Sequence, residues 1–522
     1  MRKNALTLIT VIVLITALLA SARLGQNHGQ PAGTLPHPPA EKRTAVYVML
    51  AEEDAVFDVA LFDVELGNVH INETNRPVLI YNGTAQELHL RVGGRAVNWQ
   101  GLKFRIGGEV SLRTSPGKTY LLTLKLIHEP GVFIVKVDPE LTGPLGGELP
   151  KDLLQPDRGF VERALKRLNA TGELQRNEEL QKEYLKLWRT TGNVSYLQAY
   201  RDLEYHGKVI ALLAKLGRLN DVALRTHVLG LVATDYYYSH FEKPGYKDLT
   251  LVFSNRSPYY GTIRVPNGPL RSPLPFVYYQ ARGFNLYPVS ALHWAKIYDI
   301  RGQRKAFIEI LDDLMPFIET GEYNGTDYAL LPIYFHFQNS SIPWVSGYAQ
   351  GLATGLYALA YNETGREEYL KLAEEFMNSF RLPLSKNGFI VQTEYGPWCL
   401  EYNYYPEQLV LNGNIICLQG VYYYWKVTGN ETARRLFLEG AQSVKRALPF
   451  FDTGNWSRYA SIYNSSSLFY HRLHIKLLVW LYVKTGDNTF LKYAEKWNGY
   501  LKERGEKPEN IGRLIEEMRH SP

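Results

Sequence analysis

The sequence predicts a multidomain α+β chain: an N-terminal β-sandwich followed by an α/α toroid, a barrel of helical hairpins. Three observations predict it. Residues 44–137 alternate apolar and polar with many β-branched residues, the period-two pattern of half-buried strands. A Pro/Gly stretch from Pro139 to Pro156 then interrupts the pattern. Beyond it the apolar period becomes helical, and a hairpin-like unit recurs.

The chain opens with Arg2 and Lys3, an apolar run from Ala5 to Ala20, and the small residues Ala20-Ser21-Ala22. Residues 1–22 therefore read as a signal peptide or a short membrane anchor, and 23–43 as a polar linker. Either reading puts the bulk of the protein outside the cytoplasm, secreted or anchored by this segment. Eleven Asn-x-Ser/Thr sequons agree with that placement: Asn72, Asn82, Asn169, Asn193, Asn255, Asn324, Asn339, Asn362, Asn430, Asn455 and Asn464. Chance would supply roughly three, so a glycoprotein surface is expected. The two cysteines, Cys399 and Cys417, exclude a disulfide framework, and the sequence leaves open whether they pair.

The runs AVYVML, VFDVALFDVEL, RPVLIYN, ELHLRV, TYLLTLKLI and VFIVKV, separated by turn residues, give roughly seven short strands over residues 44–140. The toroid is assigned to residues 157–515. Its repeat is an aromatic-rich helix, a glycine turn and an amphipathic helix, as in IYDIRGQRKAFIEI, AYNETGREEYLKLA, WKVTGNETARRLFL and VKTGDNTFLKYAEK. The turn glycines are Gly192, Gly302, Gly365, Gly429 and Gly486, the last four spaced 63, 64 and 57 residues apart. Glycine there tolerates the left-handed backbone of a helix C-terminus. The first helix of each pair is apolar, the second charged on one face, as an inner ring wrapped by an outer ring requires.

If the inner helices run parallel, their N-termini share one mouth of the toroid. The segments feeding them are GFNLYP (283–288), NSSIPWVSGYAQG (339–351), TEYGPWCLEYNYYPEQ (393–408) and RYASIYNSSSLFYHRLH (458–474). They are longer and richer in Tyr, Trp, His, Glu and Asn than a connection needs, which marks a binding face. Converging helix N-termini favour a carboxylate ligand. The net charge of +6 is small for 522 residues and no segment concentrates Lys and Arg, so nucleic acid is excluded as a partner. Thirty-seven tyrosines suit sugar faces and acid–base work, although most must serve the core. Phosphate-binding glycine loops, zinc signatures and the serine-hydrolase elbow are absent from the sequence. His471 and His474 lie three apart, too little to assign a metal site.

At these same segments the chain resembles the C-terminal catalytic domain of the D-glucuronyl C5-epimerases, which convert glucuronate to iduronate in heparan-type chains. GFNLYPVSALHWAKIY, WVSGYAQGLATGLYALAY, WCLEYNYYPEQLVLNG, the LPFFDTGN turn and YHRLHIKLL carry the likeness, in order, across roughly Gly283 to Glu503. The resemblance implies an α/α barrel beside β-rich domains. By position it makes Glu401 and Tyr402 the family's Glu-Tyr pair, Tyr470 its second essential tyrosine, and Tyr459 and Tyr287 further site tyrosines. One departure stands out: the family's arginine three residues beyond the Tyr459 position is Ile462 here.

The implied reaction is C5 inversion of D-glucuronate to L-iduronate in a uronic-acid polysaccharide or glycan. It removes the proton α to the carboxylate and returns one to the opposite face, so it needs two acid–base groups and donors for the enolate charge. Glu401 and Tyr470 are expected to serve the two faces, with Tyr402 and Tyr459 completing the catalytic set. Tyr287, Tyr348, Trp344, His471 and Arg472 are expected to hold substrate. That chemistry requires no cofactor and no metal. The expected partner is an acidic polysaccharide, with membrane contact only through the N-terminal segment and a homodimer as an admissible assembly. The alternatives are a polysaccharide lyase or glycoside hydrolase on the same scaffold, with Glu394, Glu401 and Glu407 as carboxylates for the latter, or a non-catalytic glycan-binding surface protein.

Overall fold

The computed structural model describes residues 171–519, except 192–193, 216–217, 242–244, 246–248, 338–339 and 341, together with the backbone of eight strands between Ala45 and Leu145. The expected signal or anchor segment, the linker and the sequons at Asn72, Asn82, Asn169, Asn193 and Asn339 lie outside the described residues. Of the other six sequons, none is buried.

The alternating N-terminal runs form β1 (Ala45–Glu52), β2 (Asp58–Val64), β3 (Ile80–Tyr81), β4 (Glu87–Trp99), β5 (Leu102–Arg113), β6 (Thr119–Glu129), β7 (Val132–Val137) and β8 (Gly143–Leu145). They pair along the order β3-β2-β1-β6-β7-β5-β4, with β8 joined to β6. The sheet is mixed: β1–β6, β5–β7 and β2–β3 are parallel, whereas β4–β5 and β6–β7 are antiparallel. The β-then-α order that the sequence predicts is therefore present.

Three helices follow: α1 (Thr171–Thr191), α2 (Val194–Lys215) and α3 (Asp221–His240). Between α3 and the next helix the chain makes a small sheet of β9 (Thr250–Phe253), β10 (Ile263–Arg264), β11 (Ser272–Tyr279) and β12 (Gly283–Leu286), in the order β10-β9-β11-β12. This corrects the reading of GFNLYP as a loop, because Gly283–Leu286 is a buried strand. A buried network fixes it. The Asp202 carboxylate of α2 accepts from the Tyr238 and Tyr278 hydroxyls at 2.5 and 2.7 Å and from the Gly283 amide at 3.3 Å. Burial pushes that carboxyl up to about 6, and the three donors oppose the shift.

Four helical hairpins then repeat, as the glycine turns predict. They are α4 (Pro288–Ile300) with α5 (Arg304–Leu314), α6 (Gly347–Thr364) with α7 (Glu367–Asn378), α8 (Leu411–Thr428) with α9 (Glu431–Phe451), and α10 (Leu468–Thr485) with α11 (Asn488–Glu503). A last helix, α12 (Ile511–Arg519), packs on α10. Gly302, Gly365, Gly429 and Gly486 all have φ between 66° and 73°. The first helix of each pair is buried nearly throughout: residues 347–360 of α6 and 411–424 of α8 are buried without a break. The second helices bury one stripe, such as Phe437, Gly440, Ala441 and Val444 of α9. The inner helices are neighbours in chain order, α4 on α6, α6 on α8 and α8 on α10.

The α6–α8 contact is made by backbone. A Cβ added at Gly351 would lie 2.4 Å from the Cys417 Cα, and one at Gly420 would lie 1.6 Å from the Gly351 carbonyl oxygen. These glycines let the axes approach until side chains cannot intervene. Two hairpins that the sequence reading treats as loop are inserted between helices: β13 (Glu319–Tyr323) with β14 (Thr326–Leu330), and β15 (Ile390–Thr393) with β16 (Gly396–Cys399).

Candidate active site

The segment after β16 carries Glu401, and its position follows from the hydrogen bonds around it. The Gly347 amide donates to the Leu400 carbonyl at 2.8 Å, and the Asn403 side chain accepts from the Val345 amide at 2.9 Å. The Asn414 side chain of α8 accepts from the Cys399 amide at 2.9 Å. Cys399 and Cys417 form a disulfide, so β16 is bonded directly to α8 and the pairing that the sequence left open is settled. Residues 399–403 are thus held against the first turns of α6 and α8. The 458–474 segment is brought to the same place by a Val410–Ala460 bridge and by the Leu411 amide, which donates to the Tyr459 carbonyl at 3.2 Å.

Glu401 is 6% exposed, and its Oε2 has no hydrogen-bond partner. Burial pushes its carboxyl up to about 7; the Tyr402 hydroxyl opposes the shift. A Cβ at Gly413, in the first turn of α8, would lie 2.5 Å from that Oε2 and 2.9 Å from the Glu401 Cβ. Only glycine leaves the carboxylate room there, a role the quoted VLNG run did not reveal.

Around this carboxylate stands a shell of phenols. Burial lifts Tyr287, Tyr348, Tyr402, Tyr404 and Tyr459 above the usual phenol range, and the negative charge of Glu401 raises each further. These groups are therefore protonated donors at neutral pH. The Tyr459 ring lies 4.5 Å from that of Tyr470, in the first turn of α10. Tyr348 meets the neutral His293 at 3.0 Å, burial having pushed that imidazole down to about 3. Beside Tyr402 runs an aromatic wall: Phe337 stacks on it at 5.5 Å, and Trp344 and Tyr404 pack at 5.9 and 6.0 Å.

The structure thus brings Glu401, Tyr402, Tyr459, Tyr470, Tyr287, Tyr348 and Trp344 into one cluster. Two expected residues have other duties. Arg472 points its guanidinium at Glu506, Glu509 and the Lys507 carbonyl, at 3.2, 2.9 and 2.7 Å. His471 is stacked on Trp456 at 3.6 Å; its Nδ1 meets Ser457 Oγ at 2.8 Å and its Nε2 meets the Trp497 carbonyl at 2.9 Å. Both ring nitrogens are engaged, and burial pushes the imidazole down to about 4. Neither residue is placed to hold a substrate carboxylate, because adjacency in sequence to Tyr470 turns them onto other faces of α10. His474 shares Ser457 Oγ with His471, at 2.9 Å. Among the described residues, no group of three or more His, Cys, Asp or Glu is placed to hold a metal ion.

Sequence reasoning missed Tyr404, Gly413 and Arg282. Arg282 is the cation whose field pulls the Tyr404 phenol down, against the carboxylate of Glu401. It lies directly before GFNLYP, and with Ile462 in the arginine position it was the basic residue to look for nearby. Three helix N-termini meet the cluster without a side-chain cap: Tyr287 before α4, Ser346 before α6 and Val410 before α8. Several buried polar atoms here also lack partners, among them Glu401 Oε2, Tyr459 OH, Ser346 Oγ, Asn412 Oδ1 and His293 Nε2. Tyr459 still feels a favourable contact from the Tyr402 hydroxyl, at a geometry too poor for a full hydrogen bond. So many unsatisfied groups in one place are costly in an ordinary core and are what a polar ligand would repay.

Comparison with known proteins agrees with this placement. Residues 325–499 match the family model for the D-glucuronyl C5-epimerase C-terminus. An uncharacterized protein of Methanocaldococcus jannaschii is 33% identical over 187 residues, covering 34% of this chain and 61% of that protein. The D-glucuronyl C5-epimerase of Caenorhabditis elegans is 29% identical over 176 residues, covering 30% of this chain and 29% of that enzyme. The chain therefore spans less than two thirds of the length of either relative. The resemblance read from the sequence is borne out over the matched segment, which includes Glu401, Tyr402, Tyr459 and Tyr470.

Proposed function

We propose, with the epimerase-type C-terminal domain at residues 325–499 as premise, that this chain inverts C5 of D-glucuronate residues in an acidic polysaccharide or glycan. The observation that carries this reading is the single cluster of Glu401, Tyr459 and Tyr470, drawn from two distant segments and surrounded by protonated phenols. Glu401 removes the C5 proton; the C5–H electron pair moves into the uronate carboxylate, giving an enolate-like dianion. The Tyr470 phenol then delivers a proton to the opposite face, and solvent resets both groups. Tyr402, Tyr459, Tyr287 and Tyr348 donate to the developing charge, which is worth most in a dry site. We assign the carboxylate clamp to Arg282, the cation whose charge reaches Tyr404, since Ile462 cannot supply it. A carboxyl poised near 7 suits a base that must also release its proton at neutral pH.

The four hairpins close into an α/α toroid with α4, α6, α8 and α10 inside. The chain works outside the cytoplasm, where the Cys399–Cys417 bond persists and the exposed sequons at Asn324, Asn362, Asn455 and Asn464 carry glycans. A lyase begins with the same proton abstraction and then expels the 4-substituent. The test is incubation of a uronate polymer in deuterated water. Deuterium at C5 with unchanged chain length is expected; ultraviolet absorbance of an unsaturated uronate would make it a lyase, and polymer binding without exchange would make it a binding protein.

A further inference from the structure

At the opposite end of α4 from Tyr287 lies a surface cavity of about 610 Å³, lined by Asn255, Arg256, Arg264, Tyr298, the turn Arg301–Gly302–Gln303, Arg304 and Lys305. Five of its side chains are cationic. Among the described residues two carboxylates answer them: Glu309 pairs with Arg256 at 2.8 Å and lies 3.8 Å from Lys305, and Glu363 pairs with Arg304 at 3.2 Å. Arg264 and Arg301 reach backbone carbonyls, those of Tyr259 and Pro258, and no carboxylate pairs with either among the described residues. The cations crowd one spot: Arg301, Arg256 and Arg264 all act on the Tyr298 phenol.

The helix that ends in this cavity adds to the imbalance. Helix α5 begins at Arg304 with no side-chain cap and no acidic residue in its first turn. Placing Arg304 and Lys305 there reverses the usual preference for anions at a helix N-terminus. Side chains 45–78% exposed keep these charges hydrated, so the fold tolerates them without a buried partner. Together the free first-turn amides and the unbalanced cations form an anion site open enough for a chain to lie across.

We propose that this cavity is a second binding site that takes the carboxylate or sulfate groups of an acidic polysaccharide. The inference rests on the reading that the chain handles such a polymer. An open, shallow, multi-cation surface suits an extended polyanion better than a small enclosed anion. Helix α4 spans 13 residues, about 20 Å, so the cavity is a separate holding point from the Glu401 cluster. A polymer held there raises the local concentration of uronates near the chemistry, whereas a short oligosaccharide gains nothing.

The test uses the full chain on immobilised hyaluronan and chondroitin sulfate in low salt, with neutral dextran and single-stranded DNA as comparisons. Arg304→Glu/Lys305→Glu, on exposed positions, and Arg264→Ala/Arg301→Ala should each weaken retention about tenfold, the effect of losing two screened ion contacts. Both should leave C5 exchange on a short uronate oligosaccharide at the unaltered rate. Glu401→Gln should lose exchange on a glucuronate oligosaccharide and keep retention. Unchanged retention in both cavity variants overturns the proposal, as does equal retention of the chain on DNA or dextran. If the unaltered chain shows no C5 exchange while the cavity variants still lose retention, the binding site stands and the epimerase reading falls.

Discussion

Glu401 combines three properties that separate a working carboxylate from a structural one. It is buried, one of its oxygens has no partner, and its carboxyl is held near 7. Exchange at C5 should therefore rise as pH increases through about 7 and level off above it. Stability follows with the opposite sign. The folded carboxyl keeps a proton that the unfolded chain has already lost, so its contribution is full below about 4.5 and gone once pH exceeds about 7. Glu401→Gln should match the unaltered protein in denaturant titrations at pH 4 and exceed it by roughly 3 kcal/mol at pH 8. A glutamine that is destabilising at pH 8 would mean that the carboxylate is paired after all. Gly413→Ala tests the same spot through sterics. The methyl group would press on Glu401 Oε2, so exchange should fall about a hundredfold with the helical signal intact. Glu401 and Tyr470 were legible because family-like blocks surround them. Arg472 and His471 misled because position in a block says nothing about which way a helical side chain points. Arg282 was hidden because Tyr404, on which its charge acts, lies far away in sequence.

At the level of elements, the hairpin turns and the inner-versus-outer character of the helices could be read directly. Apolar run and glycine turn are local features with a period. The β9–β12 sheet and the two inserted hairpins could not, because short strands among Tyr, Trp and Pro carry no alternation distinct from loop. Close packing of α6 on α8 was equally silent, since a glycine in a helix signals approach only once its neighbour is known. Gly420→Ala should cost about 1–3 kcal/mol, the range for overpacking a rigid contact, and lower the melting temperature. The Cys399–Cys417 bond closes a loop of sequence separation 18 and ties β16 to α8. Cys417→Ser with Cys399→Ser should lose about 3 kcal/mol. Its kcat should fall as well, because the same bond steadies the segment carrying Glu401. Unchanged kcat with lowered stability would confine the bond to folding.

For the whole molecule, the meeting of the segments before α6, α8 and α10 accounts for why one carboxylate and one phenol come together. Their segments are 69 positions apart, and the repeated hairpins, with their first helices packed in chain order, return the chain to the same place. The claim that these two groups work on opposite faces is tested most directly by deuterium incorporation at C5 in each starting epimer separately. With glucuronate and with iduronate polymers in deuterated water, Glu401→Gln should abolish exchange from one epimer and Tyr470→Phe from the other. Each loss should be 10²-fold or more, as expected for removal of a general base. Exchange at the unaltered rate in either variant, or both variants failing on the same epimer alone, would contradict a two-sided site.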